Sequence, residues 1–396
     1  MWLLLFLIQD SIEGTWHGAV TPGGVRLRID IHLSRDKDGA LSGTLDSLDQ
    51  AAKGLKLDGV SFENETLKFT LTVAKATFEG KLKDGKIDGV LKQAGMDMPL
   101  VFGRAPLEEP KRPQTPKKPY PYKEEEVKYA HLAGTLTLPN SEGPHTAVIL
   151  ITGSGQQDRD ETLLGHKPFL VIADHLTRQG IAVLRVDDRG VGGSKGDVEK
   201  ATSEDFADDV LKGVEFLAAR KDIGKIGLVG HSEGGLIAPM VAVKSDKVAF
   251  IALLAGPGTT GREILLAQSE LIQRAMGVPE ETIQKNLEES KKRIEAEQNP
   301  WMKFFISYDP RETLKKVKCP VLAMNGEKDL QVPCKENLKG IEEALKGNPH
   351  VKIVALPDLN HLFQTCKTGA PSEYAQIEET FAPAALDTLS TWIRER

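Results

Sequence analysis

Residues 230–235 read Gly-His-Ser-Glu-Gly-Gly. They follow the apolar run 226–229 and precede a segment with helical spacing. A serine on a tight strand-to-helix turn flanked by glycines is the context of an activated nucleophile. The glycines avoid clashes with strand and helix, and the helix N-terminus favours negative charge developing on a substrate. Ser232 is therefore the expected nucleophile, with His231 in the variable position of the turn. A serine hydroxyl attacks poorly unless a base takes its proton. His361 fits that role, in the loop Pro357-Asp358-Leu359-Asn360-His361 beyond the apolar strand 351–356. The histidine in turn needs a carboxylate to fix its tautomer and stabilise its cation. Asp329, in Asn325-Gly326-Glu327-Lys328-Asp329 after the strand 321–324, is the expected acid, with Glu327 and Asp358 as rivals. A tetrahedral intermediate also needs two N–H donors for its oxyanion. The backbone of Glu233 offers one. The loop Thr152-Gly153-Ser154-Gly155-Gln156 offers the other, from Ser154, with Gly155 and Gln156 as near rivals.

Those residues need a scaffold that brings strand ends together. From Glu124 onward, apolar strand-like runs (127–130, 134–138, 147–151, 182–186, 226–229, 248–254, 321–324 and 351–356) alternate with helical patterns at 169–179, 203–220, 234–243 and 377–394. Such alternation specifies a mostly parallel sheet covered by helices on both faces. Between 254 and 321 the rhythm breaks into helical patterns at 262–276, 280–298 and 300–306. A helical insertion at the C-terminal edge of a sheet sits where open α/β folds bind ligands, so 258–318 reads as a lid. Trp301, Phe304 and Phe305 in it supply apolar bulk for a substrate pocket, alongside Gln156.

Residues 14–105 have a different character. Eight short alternating runs with turn signals between them predict an antiparallel all-β domain, a small barrel or strongly bent sheet. A filled core acting as spacer or dimerisation module is the expected role. Six prolines between 106 and 121 then predict an extended, semi-rigid linker over 106–123. The opening MWLLLFLI at 1–8 is too short to span a bilayer and reads as a signal remnant within 1–13.

The chain has 396 residues, 40% hydrophobic and 27% charged, which excludes global disorder and a multi-span membrane protein. Aromatics are only 6%, so the core must be mostly aliphatic. The net charge of −6 predicts no basic face for nucleic acid. No P-loop, dinucleotide glycine pattern or H-E-x-x-H metal motif occurs. Three cysteines, Cys319, Cys334 and Cys366, lack zinc-ligand spacing. Three reduced, buried thiols are expected, the alternative being a Cys334–Cys366 disulfide tying the acid loop to the base loop.

Taken together, 153–160 (GSGQQDRD), 187–194 (DDRGVGGS), the GHSEGG turn and 359–364 (LNHLFQ) resemble the α/β-hydrolases. More narrowly they resemble bacterial carboxylesterases of the EstD type, which join an N-terminal β domain to a hydrolase domain. The order Ser232, Asp329, His361 is that of the α/β-hydrolase type. The resemblance implies hydrolysis of short-chain carboxylic esters without cofactor or metal, and an Asp188–Arg189 ion pair bracing the loop beneath the site. Asp158, Arg159 and Asp160 brace it likewise or line the entrance. Epoxide hydrolases and dehalogenases of this fold carry an aspartate where Ser232 stands. The expected partner is a small-molecule ester, with no stable membrane insertion and no nucleic acid; a homodimer and a periplasmic or secreted location are the further expectations. Two rivals stand beside the esterase. One is a peptidase or amidase of the serine aminopeptidase type, using Glu233 or Asp160 to hold an amino terminus. The other is a ligand-binding protein led by the β domain.

Overall fold

The computed structural model describes residues 11–22, 26–50, 52–93, 95–108 and 111–396. The apolar opening at 1–8, the turn glycines at 23–24 and Pro110 lie outside the described residues. The chain divides into two compact units, residues 1–111 with 163–165, and residues 112–162 with 166–396.

The first unit is a meander: β1 Gly14–Val20, β2 Leu27–Arg35, β3 Leu41–Ser47, β4 Ala52–Lys56, β5 Asp58–Glu63, β6 Thr66–Leu71, β7 Ala76–Lys83, β8 Lys86–Gln93 and β9 Met96–Phe102. β1 to β4 form one sheet and β5 to β9 another, in chain order. Side chains alternate as a half-buried strand requires: in β7, Ala76 and Phe78 are buried while Thr77 and Glu79 are exposed. The alternating run 54–62 is divided between two strands. Leu57 is buried at the corner, where its N–H donates to the Gly43 carbonyl at 3.0 Å, and the chain passes into the second sheet. His17 and Gly103 exchange backbone hydrogen bonds of 2.8 and 2.9 Å, so the two ends of the meander meet. The interior is filled: Trp16, Ile31, Leu67, Ile87 and Phe102 are fully buried in one cluster.

The second unit holds an eight-stranded sheet. Its strands are β10 Lys123–Tyr129, β11 Leu132–Leu138, β12 His145–Ile151, β13 Ala182–Val186, β14 Ile223–His231, β15 Val248–Leu254, β16 Val321–Gly326 and β17 Val351–Leu356. The order is β10-β11-β13-β12-β14-β15-β16-β17. β10 and β11 pair antiparallel, as do β11 and β13. From β13 onward the strands are parallel. The helices are α1 Pro168–Arg178, α2 Ser203–Ala218, α3 Glu233–Lys244, α4 Gly261–Ala275, α5 Glu280–Glu295, α6 Pro300–Ser307, α7 Pro310–Leu314, α8 Cys334–Ala344 and α9 Pro383–Arg394. β12 shows how both faces are covered. Val148 and Leu150 pack into a core with α1 and α9, whereas Ala147, Ile149 and Ile151 pack into one with α2, α3 and α8. The chain leaves β12 to one side for β13, then crosses to β14 on the other. The C-terminal ends of β12 and β14 thus flank a topological switch point.

Three elements depart from the sequence pattern. α7 and α8 were not expected. α8 starts directly after Pro333 and buries Cys334, Asn337, Leu338, Gly340, Ile341 and Ala344 within a charged segment. α9 begins at Pro383 rather than at 377, because the preceding residues spend their backbone groups elsewhere. The Gln114 side chain accepts from Thr380 and Phe381 N–H at 2.5 and 3.0 Å and donates to the Phe381 carbonyl at 2.7 Å. Arg112 donates to the carbonyls of Ala375 and Ile377, both at 3.0 Å. The proline-rich stretch is therefore docked here rather than a free spacer. Truncating the amide, Gln114→Ala, should destabilise the second unit by about 1–3 kcal/mol, since two N–H groups lose their acceptor. A lowered urea midpoint at unchanged m-value would report it.

Candidate active site

The site begins where β14 runs into α3. Ser232 sits at φ 53°, ψ −116°, a backbone region that costs an L-residue energy and persists only where its surroundings enforce it. Those surroundings are backbone atoms. A Cβ on Gly230 would lie 2.0 Å from the Gly234 carbonyl oxygen, and one on Gly234 would lie 2.2 Å from that of Ile151. Ser232 N–H donates to Leu254 O at 2.8 Å, and Gly235 N–H donates to Ser232 O at 2.9 Å. The turn is thus tied to β15 and α3.

Of the three candidate acids, Asp329 is the one that meets His361. His361 Nδ1 lies 2.8 Å from Asp329 Oδ2, and both residues are buried. Asp329 Oδ1 accepts the N–H groups of Gln331 and Val332 at 2.8 and 2.9 Å. Both carboxylate oxygens therefore face donors, the arrangement that suits an anion. Asp358 is exposed and pairs with Lys328 at 2.7 Å; Glu327 is exposed. The loop carrying His361 is braced from within. Asn360 Oδ1 accepts from Leu362 and Gln364 N–H, both at 3.0 Å, and its amide donates to Gln364 Oε1 at 3.0 Å. Gln364 also contacts His166, which bonds Thr380 Oγ1 at 2.9 Å and the Tyr374 carbonyl at 3.1 Å. All three thiols are free. Burial pushes Cys319 and Cys366 up to about 11 and Cys334 up to about 12.

The loop after β12 passes beside Ser232: a Cβ on Gly153 would stand 3.3 Å from Ser232 Cβ. The Gly153 amide is already committed, donating to Glu161 Oε1 at 2.8 Å. That leaves Ser154, Gly155 and Gln156, all exposed, as the loop's candidate oxyanion donors. Glu233, the first residue of α3, is buried.

A cavity of about 570 Å³ opens next to the turn, lined by Gly153, Ser154, Gly155, Gln156, Glu233 and Trp301 together with apolar residues such as Ile149, Phe206 and Ile237. Of the aromatic residues expected from α6, Trp301 alone lines it. The helix explains why. Residues four apart share a face, so Phe305 stacks behind Trp301 at 5.8 Å while Phe304 turns to Tyr308 at 5.1 Å. Trp301 Nε1 donates to Glu233 Oε1 at 2.7 Å, and Ser203 Oγ donates to the same oxygen at 2.6 Å. Burial raises the Glu233 carboxyl, and these two donors partly offset that.

The expected Asp188–Arg189 ion pair does not form. Arg189 reaches Asp209 at 2.8 Å instead. Asp188 accepts from the Thr152 hydroxyl at 2.7 Å and Gln157 N–H at 2.9 Å. With neutral donors only, burial pushes Asp188 up to about 7. Asp160 does not serve the cavity either. It faces Arg185, and Lys167 at 3.2 Å, two cations that occupy its oxygens. Arg159 pairs with Asp187 at 2.7 Å and Glu126 at 2.6 Å. Asp158 accepts from Asp160 and Thr162 N–H at 3.1 and 2.9 Å. These three residues therefore brace the loop. Glu161 and His231 were not singled out, yet both are buried against the site. Their only sequence signal was two polar residues beside glycine-rich turns. Among the described residues no His/Cys/Asp/Glu group has a metal-holding arrangement, and no helix is long and apolar enough to cross a membrane.

Residues 167–363 match the family described as "Serine aminopeptidase, S33". Esterase EstD of Thermotoga maritima is 30% identical over 287 residues, 69% of this chain and 68% of that protein. Among solved structures, the Pyrococcus furiosus esterase Pf2001 is 18% identical, covers 70% of this chain and 93% of its own, and gives a TM-score of 0.45. Est1E from Butyrivibrio proteoclasticus, bound to ferulic acid, is 16% identical, covers 68% and 96%, and gives 0.44.

His166 gives the base loop a pH dependence. Burial, aided by the Arg112 guanidinium, pushes its imidazole from 6.5 down to about 4. The unfolded chain binds a proton near 6.5 that the folded chain refuses until about 4, so stability present above 6.5 is lost as pH falls through that window. The loss should reach about 2–3 kcal/mol at the acid end. Urea titrations at neutral and acid pH should show it, and His166→Gln should flatten the dependence.

Proposed function

The chain belongs to the EstD-like esterases of the α/β-hydrolase superfamily, and on that premise we propose that it is a serine carboxylesterase for short-chain esters working through Ser232, His361 and Asp329. It is a serine ester hydrolase; the proposal adds which residues act and on what. The observation that carries it is the buried His361–Asp329 hydrogen bond of 2.8 Å, on loops beyond the strands that follow the strained Ser232 turn.

In this reading Ser232 Oγ attacks the ester carbonyl as His361 Nε2 takes its proton. Asp329 holds the other ring nitrogen and stabilises the imidazolium. The oxyanion takes hydrogen bonds from the Glu233 N–H and from the Ser154 or Gly155 N–H. His361 then returns the proton to the departing alcohol, and water, activated by the same histidine, cleaves the acyl-enzyme. Gln156 and Trp301 contact the substrate in the cavity beside the turn.

A peptidase or amidase remains the second reading, because Glu233 puts a buried carboxyl in the cavity wall, where an amino group could bind. Hydrolysis of p-nitrophenyl butyrate far faster than of aminoacyl anilides supports the esterase; the reverse order overturns it. Ser232→Ala should abolish turnover of both classes with the circular dichroism spectrum unchanged. Asp329→Asn should retain the fold and lower kcat by roughly 10⁴-fold, because the amide favours the wrong imidazole tautomer. A loss below tenfold would remove Asp329 from the mechanism.

A further inference from the structure

Behind the nucleophile turn lies a buried acid–base pair that the acyl-transfer steps do not use. His231 and Glu161 are 6% and 4% exposed. His231 Nδ1 is 2.9 Å from Glu161 Oε1, and Nε2 is 3.0 Å from the backbone carbonyl oxygen of His361. The same Glu161 oxygen accepts the Gly153 N–H at 2.8 Å. One carboxylate atom and one ring thus connect the oxyanion loop, the residue before the nucleophile and the residue that carries the base.

The proton inventory follows from the partners. A carbonyl oxygen only accepts, so Nε2 carries a hydrogen. Glu161 Oε1 already accepts from Gly153, so an ionised Glu161 draws the second hydrogen onto Nδ1. We propose that His231 is held as an imidazolium by Glu161, and that the two are positioning residues, Glu161 for the oxyanion loop through Gly153 and His231 for the base through the His361 carbonyl. The inference rests on the serine-hydrolase reading above. Burial is the largest influence and opposes a charge on His231, but Glu161, the His361 carbonyl and Asp329 together outweigh it and hold the imidazole above its ordinary 6.5.

The His231 and His361 rings are 5.0 Å apart. Four titratable groups surround His231 or its partner: Glu161 from the loop after β12, Asp188 from the loop after β13, Asp329 from the loop after β16 and His361 itself from the loop after β17. Glu161 meets the Nδ1 side of His231 and the His361 carbonyl meets the Nε2 side.

Nitrogen-15 spectra of the histidine side chains test the charge directly in the wild-type protein. His231 should show two protonated-type nitrogens from about pH 6 to 9, a span in which an ordinary imidazole loses its proton. A neutral His231 across that span overturns the proposal. This measurement needs no turnover, so it stands apart from the outcome of the esterase assays. Variants test the pair. Glu161→Gln keeps the shape but removes the carboxylate charge that serves Gly153 and Nδ1 through one oxygen, so the nitrogen-15 signature of a doubly protonated His231 should be lost at neutral pH. Glu161→Ala also releases Gly153 and should lower kcat by about 10–100-fold with KM changed less than about threefold. A doubly protonated His231 that persists in Glu161→Gln, or a Glu161→Ala loss confined to KM, overturns it.

Discussion

At the end of β14 the backbone doubles back so closely that Gly230 and Gly234 have no space for a side chain. Their neighbours are carbonyl groups of the main chain, which cannot rotate away. The close approach forces Ser232 into a positive φ and lifts its side chain off the strand–helix junction. Every other part of the site is placed relative to that turn. Gly234 packs against the carbonyl of Ile151, so β12 must lie beside β14 for the turn to form. The same adjacency brings the glycine-rich loop after β12 beside Ser232.

Four buried or half-buried carboxyls surround the turn, and their partners divide the labour. Asp329 takes two backbone N–H groups and the His361 ring, a setting that favours the anion. Glu161 takes a ring and one N–H of the oxyanion loop. Glu233 takes a hydroxyl and an indole N–H, linking α2, α3 and α6 through one oxygen. Asp188 has only neutral donors and rises to about 7. Burial therefore raises the Glu233 and Asp188 carboxyls, whose donors are all neutral.

The first unit holds a buried ion pair, Arg28–Asp49 at 2.8 Å, beside a largely apolar core. Trp16, Phe78 and Phe102 fill its interior, with the Phe78 and Phe102 rings 5.4 Å apart.

The sequence by itself determined the strained serine turn, the strand-end loops that carry Asp329 and His361, and the parallel sheet, because each is local. Glycine spacing, a polar residue just beyond an apolar strand and period-two alternation are all readable within a dozen residues. It also showed that 54–62 was extended, though not that Leu57 breaks it. Only the tertiary structure decided the partners. Arg189 chose Asp209 over its neighbour Asp188, and Phe304 turned from the cavity that Trp301 lines. Gln114 captured a segment more than two hundred residues away and delayed α9 to Pro383. Glu161 and His231 became a pair because β12 and β14 are neighbours in space. Such choices depend on distances between residues far apart in the chain, which sequence spacing does not encode.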